Sequence, residues 1–267
     1  MSIFKRLIKS AAITLVALYF CALAALYFLQ DSLVFPAPGD PIVEVNAPAQ
    51  YSEMTTSDGE TLRHVRFKAD DGAPKLMFFH GNGSLAAYEI NRGRKLFENG
   101  FDVLLVEYRG YGGSSGQPSA EALRRDALET YDWYKGDSSD WIFAYAHSLG
   151  TGIAAHLASK REVQSLVLEA PYASLSEIAA DRYPMFPVKA LFRHEIDSIA
   201  SLSQSRVPTL VIHGEEDRVI PVRYGAKLYK SLDQNVADWN SLPGIGHNNL
   251  VQNGSVNLAL NHFIKSF

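Results

Sequence analysis

The sequence predicts an α/β protein with a mostly parallel, eight-stranded sheet covered by helices on both faces. Three observations carry that expectation. Strand-like and helix-like stretches alternate from Tyr51 onward, as a parallel sheet with crossover helices requires. LMFF, VLLV, LVLE and TLVIH are continuously apolar, the pattern of strands buried on both faces. The polar motifs follow strands, where open α/β sheets bind ligands.

In chain order the expected strands are 51–56, 61–68, 75–80, 102–108, 141–146, 165–170, 209–213 and 236–241. Helical patterns fall near residues 85–99, 119–134, 151–159, 223–231 and 255–265. One stretch breaks the alternation. Residues 173–205 are too long for a simple crossover and read as a cap insertion of short helices above the strand ends. Within it, YPMFPVKALF (Tyr183 to Phe192) carries Met185, Phe186, Val188, Leu191 and Phe192 and is broken by two prolines.

The formal charge of −4 and a pI near 6.1 leave no basic surface suited to nucleic acid. Cys21 stands alone, so no intramolecular disulfide or cysteine-based metal site can form. The eight histidines lack H-E-x-x-H or H-x-H spacing. No metal and no cofactor are expected.

Residues 1–30 read as a cytoplasmic stub and a transmembrane signal anchor. Ala11 to Leu29 is an uncharged apolar run that spans roughly 30 Å as a helix, the thickness of a bilayer core. Lys5, Arg6 and Lys9 precede it, and Asp31, Asp40 and Glu44 follow, with no Lys or Arg before Arg63. The positive-inside rule then keeps the N-terminus cytoplasmic and puts the large domain across the membrane, in a periplasmic, lumenal or extracellular space. Ala22-Leu23-Ala24 resembles a signal-peptide cleavage site, but the apolar run continues through Leu26, Phe28 and Leu29. LYFC lacks the small residue a lipoprotein site needs before Cys21. Residues 31–50, with Pro36, Pro38, Pro41 and Pro48, read as an extended linker, and 51–267 as a domain whose core does not need the anchor.

Ala146-His147-Ser148-Leu149-Gly150 joins an apolar strand to a small-residue helix, the context of the G-x-S-x-G nucleophile elbow with alanine in the first position. An ordinary serine N-cap is the alternative for that window alone. Asp217 follows TLVIHGEE and His247 follows the last strand. Serine, acid and histidine thus come in the chain order of the α/β-hydrolase triad, each at a strand end.

Together HGNG (80–83), EYRGYGGSSG (107–116), AHSLG (146–150), HGEEDRVIP (213–221) and GIGHNN (244–249) resemble the α/β-hydrolase superfamily over residues 50–267. They resemble in particular its membrane-anchored branch, whose relatives include depalmitoylating thioesterases and lysophospholipid lipases. The resemblance implies the α/β-hydrolase fold, with Ser148 as nucleophile, His247 as base and Asp217 as the acid that orients it. It also implies an oxyanion hole built from the backbone N–H groups of Asn82 and Leu149, with Gly83 as second choice for the first donor. Glu215 and Glu216 read as solvated turn acids, since the Asp217-to-Pro221 spacing matches the family. His80 and His213 read as structural, His147 as pointing away from any hydrogen bond shared with Ser148, and His64, His156, His194 and His262 as non-catalytic. RGYGGSSG lacks the G-K-[ST] ending of a phosphate loop.

The implied function is a membrane-tethered serine hydrolase acting through an acyl-enzyme on esters or thioesters, with lipid-derived acyl substrates in view. Two alternatives stay open: a serine peptidase or amidase, and a catalytically inactive hydrolase fold used for binding. An apolar cap above Ser148 predicts a preference for medium or longer acyl chains over acetyl.

Overall fold

The computed structural model describes residues 3–38 and 43–266, so Asp40 and Pro41 of the expected linker lie outside the described residues. A long helix, α1 (Ile3–Phe28), is followed at once by a short one, α2 (Gln30–Val34). The α/β part then runs β1 (Ala49–Thr55), β2 (Thr61–Phe67), β3 (Lys75–Phe79), α3 (Ile90–Glu98), β4 (Asp102–Val106), α4 (Ala120–Lys135), β5 (Ile142–His147), α5 (Leu149–Ala158) and β6 (Ser165–Glu169). Three short helices fill the insertion: α6 (Leu175–Arg182), α7 (Val188–Leu191) and α8 (Ser198–Leu202). The chain ends with β7 (Thr209–Gly214), α9 (Val222–Ser231), β8 (Ala237–Leu242) and α10 (Ser255–Ile264).

The strands form one eight-stranded sheet in the order β1-β2-β4-β3-β5-β6-β7-β8. Only β2 runs against its two neighbours; the pairings from β4 to β8 are parallel. Side chains alternate across it. Met77 and Phe79 of β3, with Ala144 and Ala146 of β5, join the core under α4, α5 and α9. Leu76, Phe78, Phe143 and Tyr145 join the opposite core, under α3 and α10. This two-residue period gives the sheet two apolar faces and explains why its central strands are apolar throughout.

Local signals set the helix ends. Ser119 caps α4 by accepting from the Ala122 N–H at 3.1 Å, and Gly136 stops that helix at φ 54°. Asp197 caps α8 through the Ala200 N–H at 2.8 Å. Residues 85–99 split into a 3₁₀ turn at Ala86–Glu89 and α3. The start of the expected linker also differs from a free extended segment. Residues 30–34 are helical, Gln30 is buried, and Phe35 enters the main core.

Candidate active site

The strand-to-helix turn leaves a single residue, Ser148, between β5 and α5, with φ 52° and ψ −120°. A side chain in that region costs about 1–3 kcal/mol and persists only where its surroundings fix it. Here the Ser148 N–H donates to the Glu169 carbonyl at 2.9 Å. The Ser148 carbonyl accepts from the Thr151 N–H at 3.0 Å and its hydroxyl at 2.6 Å. Small residues make the turn possible: a Cβ on Gly150 would collide with the Phe79 carbonyl, and one on Gly81 would lie 2.9 Å from the His147 ring. Ala146 is fully buried in the core under α5.

From two other loops come an acid and a base. Asp217 lies just past β7, and its Oδ1 accepts the Val219 and Ile220 N–H groups, both at 2.8 Å. Its Oδ2 lies 2.6 Å from His247 Nδ1, and His247 Nε2 lies 2.9 Å from Ser148 Oγ. Burial works against ionising Asp217, yet hydrogen bonds from His213 and His247 and from the Ile220 amide hold its carboxyl well below the usual range. An ionised carboxylate can only accept, so His247 donates from Nδ1, which leaves Nε2 as an acceptor for the Ser148 hydroxyl. The two loops are tied together: Glu215 N–H donates to Leu242 and Glu216 N–H to Ile245, each at 3.0 Å.

Asn82, Ser148 and Leu149 line one cavity of about 480 Å³. Leu149 opens α5, so no carbonyl one turn earlier in the helix can occupy its N–H. The Asn82 side chain accepts from the Tyr111 hydroxyl at 3.4 Å, and its loop is held by His80. His80 places Nε2 2.8 Å from Glu107 and Nδ1 2.9 Å from the Gly81 carbonyl. Both partners only accept, so both ring nitrogens carry protons. Burial opposes that charge, but Glu107 outweighs it and raises the pKa.

The remaining expected roles sort as follows. His213 donates from Nε2 to the Ile220 carbonyl at 2.8 Å and also lies 3.4 Å from Asp217 Oδ2, which braces the acid loop. Glu215 and Glu216 are exposed, and Glu215 accepts from Ser241 at 2.9 Å. His147 turns its Nδ1 toward Glu169, 3.4 Å away, while its ring lies 4.9 Å from that of His247.

Sequence reading missed the support beneath the elbow. Glu169 ends β6, buried, with Arg92 of α3 at 2.9 Å and Tyr145 also on its carboxylate. Burial resists its charge, yet the Arg92 guanidinium holds its pKa down at about 2. The available signal was an acid closing the otherwise apolar LVLE run. Cap residues Phe186, Val188, Leu191 and Phe192 line the cavity with Ser148. What was also missed is the share of α1, whose Leu23, Leu26 and Tyr27 line the same cavity.

A strand–serine–helix elbow facing an acid and a histidine on later strand ends is the arrangement of the α/β-hydrolases. The chain belongs to that superfamily. A family model described as serine aminopeptidase, S33, matches residues 73–194. An uncharacterised Mycobacterium tuberculosis protein is 32% identical over 222 residues, covering 81% of this chain and 75% of the relative. Human protein ABHD12B is 30% identical, over 73% of this chain and 61% of its own length. The lysophosphatidylserine lipase ABHD12 of Xenopus tropicalis is 31% identical, over 65% of this chain and 50% of its own. Among solved structures, a Pyrococcus furiosus esterase superposes with a TM-score of 0.71 at 18% identity, over 86% of this chain and 98% of that one. At that identity the likeness speaks for the fold. The chain therefore has the fold of a hydrolase superfamily and lipase relatives, and α1 is long and apolar enough to cross a membrane.

Proposed function

We propose that this protein is a membrane-tethered serine hydrolase that cleaves ester or thioester bonds of lipid-derived acyl substrates. The observation that carries the reading is the unbroken chain from Asp217 through His247 to Ser148 Oγ, opening into an apolar cavity. In the proposed reaction His247 takes the Ser148 proton as Oγ attacks the acyl carbonyl, and Asp217 stabilises the imidazolium. The oxyanion that forms is held by the Leu149 and Asn82 amides, aided by the positive end of α5. His247 then returns the proton to the leaving alcohol or thiol, and water releases the acid by the same steps in reverse.

Cavity composition favours an acyl substrate over a peptide amine. Among the described residues its lining includes no Asp or Glu to receive a free ammonium group, but does include Arg182 and Arg218. Both are exposed and neither has an ion pair among the described residues. Two unpaired guanidiniums beside an apolar groove suit an acyl chain with an anionic head group. The lipase activity named for the ABHD12 relatives agrees with such a substrate. In this reading α1 is an uncleaved anchor with the N-terminus cytoplasmic and residues 51–267 outside the cytoplasm.

The test is hydrolysis of acyl esters of increasing length, with matched thioesters, by the wild type and Ser148→Ala. Turnover should rise with chain length until the groove is filled, and should vanish in the variant. A variant as active as the wild type would overturn the assignment. A wild type that cleaves acetyl and long esters equally would overturn the lipid reading.

A further inference from the structure

One face of α1 is treated differently from the rest. Over the helix, partial burial falls only at Tyr19, Leu23 and Leu26, and the next residue on the same line, Gln30, is buried. Spacings of four, three and four put these side chains in a single stripe. Every other described residue of α1 is exposed.

What the stripe touches is the cap. Tyr19 stacks on Phe186, centroids 5.2 Å apart, and its hydroxyl donates to the Met185 carbonyl at 3.2 Å. Gln30 donates to the Leu191 carbonyl at 3.0 Å and accepts from the Arg193 N–H at 2.9 Å, so one buried amide pins the end of the cap hairpin. Asp31 lies 3.1 Å from Arg193 and 2.6 Å from His194, and the Arg193 guanidinium covers the Tyr27 ring. Between these two attachments, Leu23, Leu26 and Tyr27 border the same cavity as Ser148.

Depth along α1 gives the arrangement its consequence. Tyr19 lies ten residues before Leu29, about 15 Å below the end of the apolar run, or roughly half the thickness of a bilayer core. Phe186 and Met185 sit at that level, and Met185 is 78% exposed with no protein to cover it. Arg193 and Tyr27 sit higher, where cations and tyrosines meet head groups.

We propose that the cap hairpin, Tyr183 to Phe192, is embedded in the lipid beside α1. Leu23, Leu26 and Tyr27 then form one wall of the acyl groove, and substrate enters from the bilayer rather than from water. The anchor is thus a specificity-determining part of the site. This rests on the ester-hydrolase reading above only for what the groove holds.

Two experiments on the full-length protein in liposomes test it. In the first, Leu23→Trp/Leu26→Trp is compared with Ala17→Trp/Ala24→Trp on the opposite face of α1. The first pair should lower palmitoyl-ester turnover by about tenfold or more, and lower it more than butyryl-ester turnover or fluorophosphonate labelling. The second pair should change none of them. Equal palmitoyl turnover in the two pairs would overturn the shared wall. In the second experiment Met185→Cys, in a Cys21→Ser background, carries an environment-sensitive fluorophore. Quenching by brominated acyl chains and not by aqueous iodide supports embedding; quenching by iodide alone overturns it, whatever the enzyme's activity. Absence of fluorophosphonate labelling in the wild type would count against the hydrolase reading and leave the fluorescence outcome to decide this one.

Discussion

The carboxyl ends of the strands, where Ser148 lies, and the junction between cap and α1 meet at one cavity, yet they are built by opposite means. At the strand ends each side chain is fixed by backbone it cannot escape. Ser148 is locked between Glu169 and Thr151, and Asp217 is locked by two amides of its own turn. At the junction the cap helices α6 and α7 bury no residue fully, and the contacts are apolar surfaces with a few long polar side chains. The first region suits chemistry, which tolerates little misplacement, and the second suits a substrate chain whose length varies. Under the proposed function, reaction type and substrate choice rest on different parts of the molecule, so they should fail separately.

The largest separation is expected from Asp217→Asn. It keeps the side-chain volume but removes the charge partner and tautomer control of His247, so turnover should fall by about 10⁴-fold for short and long esters alike. The melting temperature should change little by comparison. Unaltered turnover would move the acid elsewhere and break the comparison at its chemical end.

Next comes the cap. Phe186→Ser with Leu191→Ser should lower long-ester turnover while leaving acetyl esters nearly unchanged, since each methylene that loses apolar contact forfeits about 0.8 kcal/mol, or about fourfold. Equal losses on both substrates would make the hairpin a part of the general core.

The smallest effect concerns stability and sharpens the contrast from outside the site. Burial depresses the pKa of His64 to about 3, and of His147, His156 and His262 in the same direction. An unfolded histidine takes up its proton near 6.5, so the folded state is favoured fully above that value and loses ground as pH falls toward about 3. The melting temperature should drop below about pH 6.5. His64 Nδ1 accepts the Glu107 N–H at 3.0 Å, a bond that asparagine can imitate, so His64→Asn should flatten part of that slope. A slope identical to that of the wild type would mean His64 does not titrate on unfolding.

The same division marks what could be read in advance. Strand runs such as LMFF and TLVIH, and the order Ser148, Asp217, His247, were legible because period and strand-end position are properties of contiguous residues. Asn82 and Leu149 were reached by resemblance, and the structure brings both to the cavity with Ser148. The pairing of Tyr19 with Phe186, and of Gln30 with Arg193, joins residues more than 160 apart in sequence, and nothing local announces it. Read locally, the stretch after Leu29 predicts a free linker, whereas Gln30–Val34 folds back as a helix. For the same reason the share of α1 in the cavity, through Leu23, Leu26 and Tyr27, was not legible in advance. Glu169 and Arg92 lie between these cases: an acid ending an apolar strand is a local oddity, but its partner is not local.

The central claim is that Ser148 is the nucleophile of this cavity. It is tested most directly by treating the full-length protein in membranes with a fluorophosphonate and locating the adduct by peptide mass spectrometry. The account predicts one adduct, on Ser148, that forms slowly in Asp217→Asn and is absent in Ser148→Ala. An adduct on any other residue, or an unmodified wild type, would contradict it.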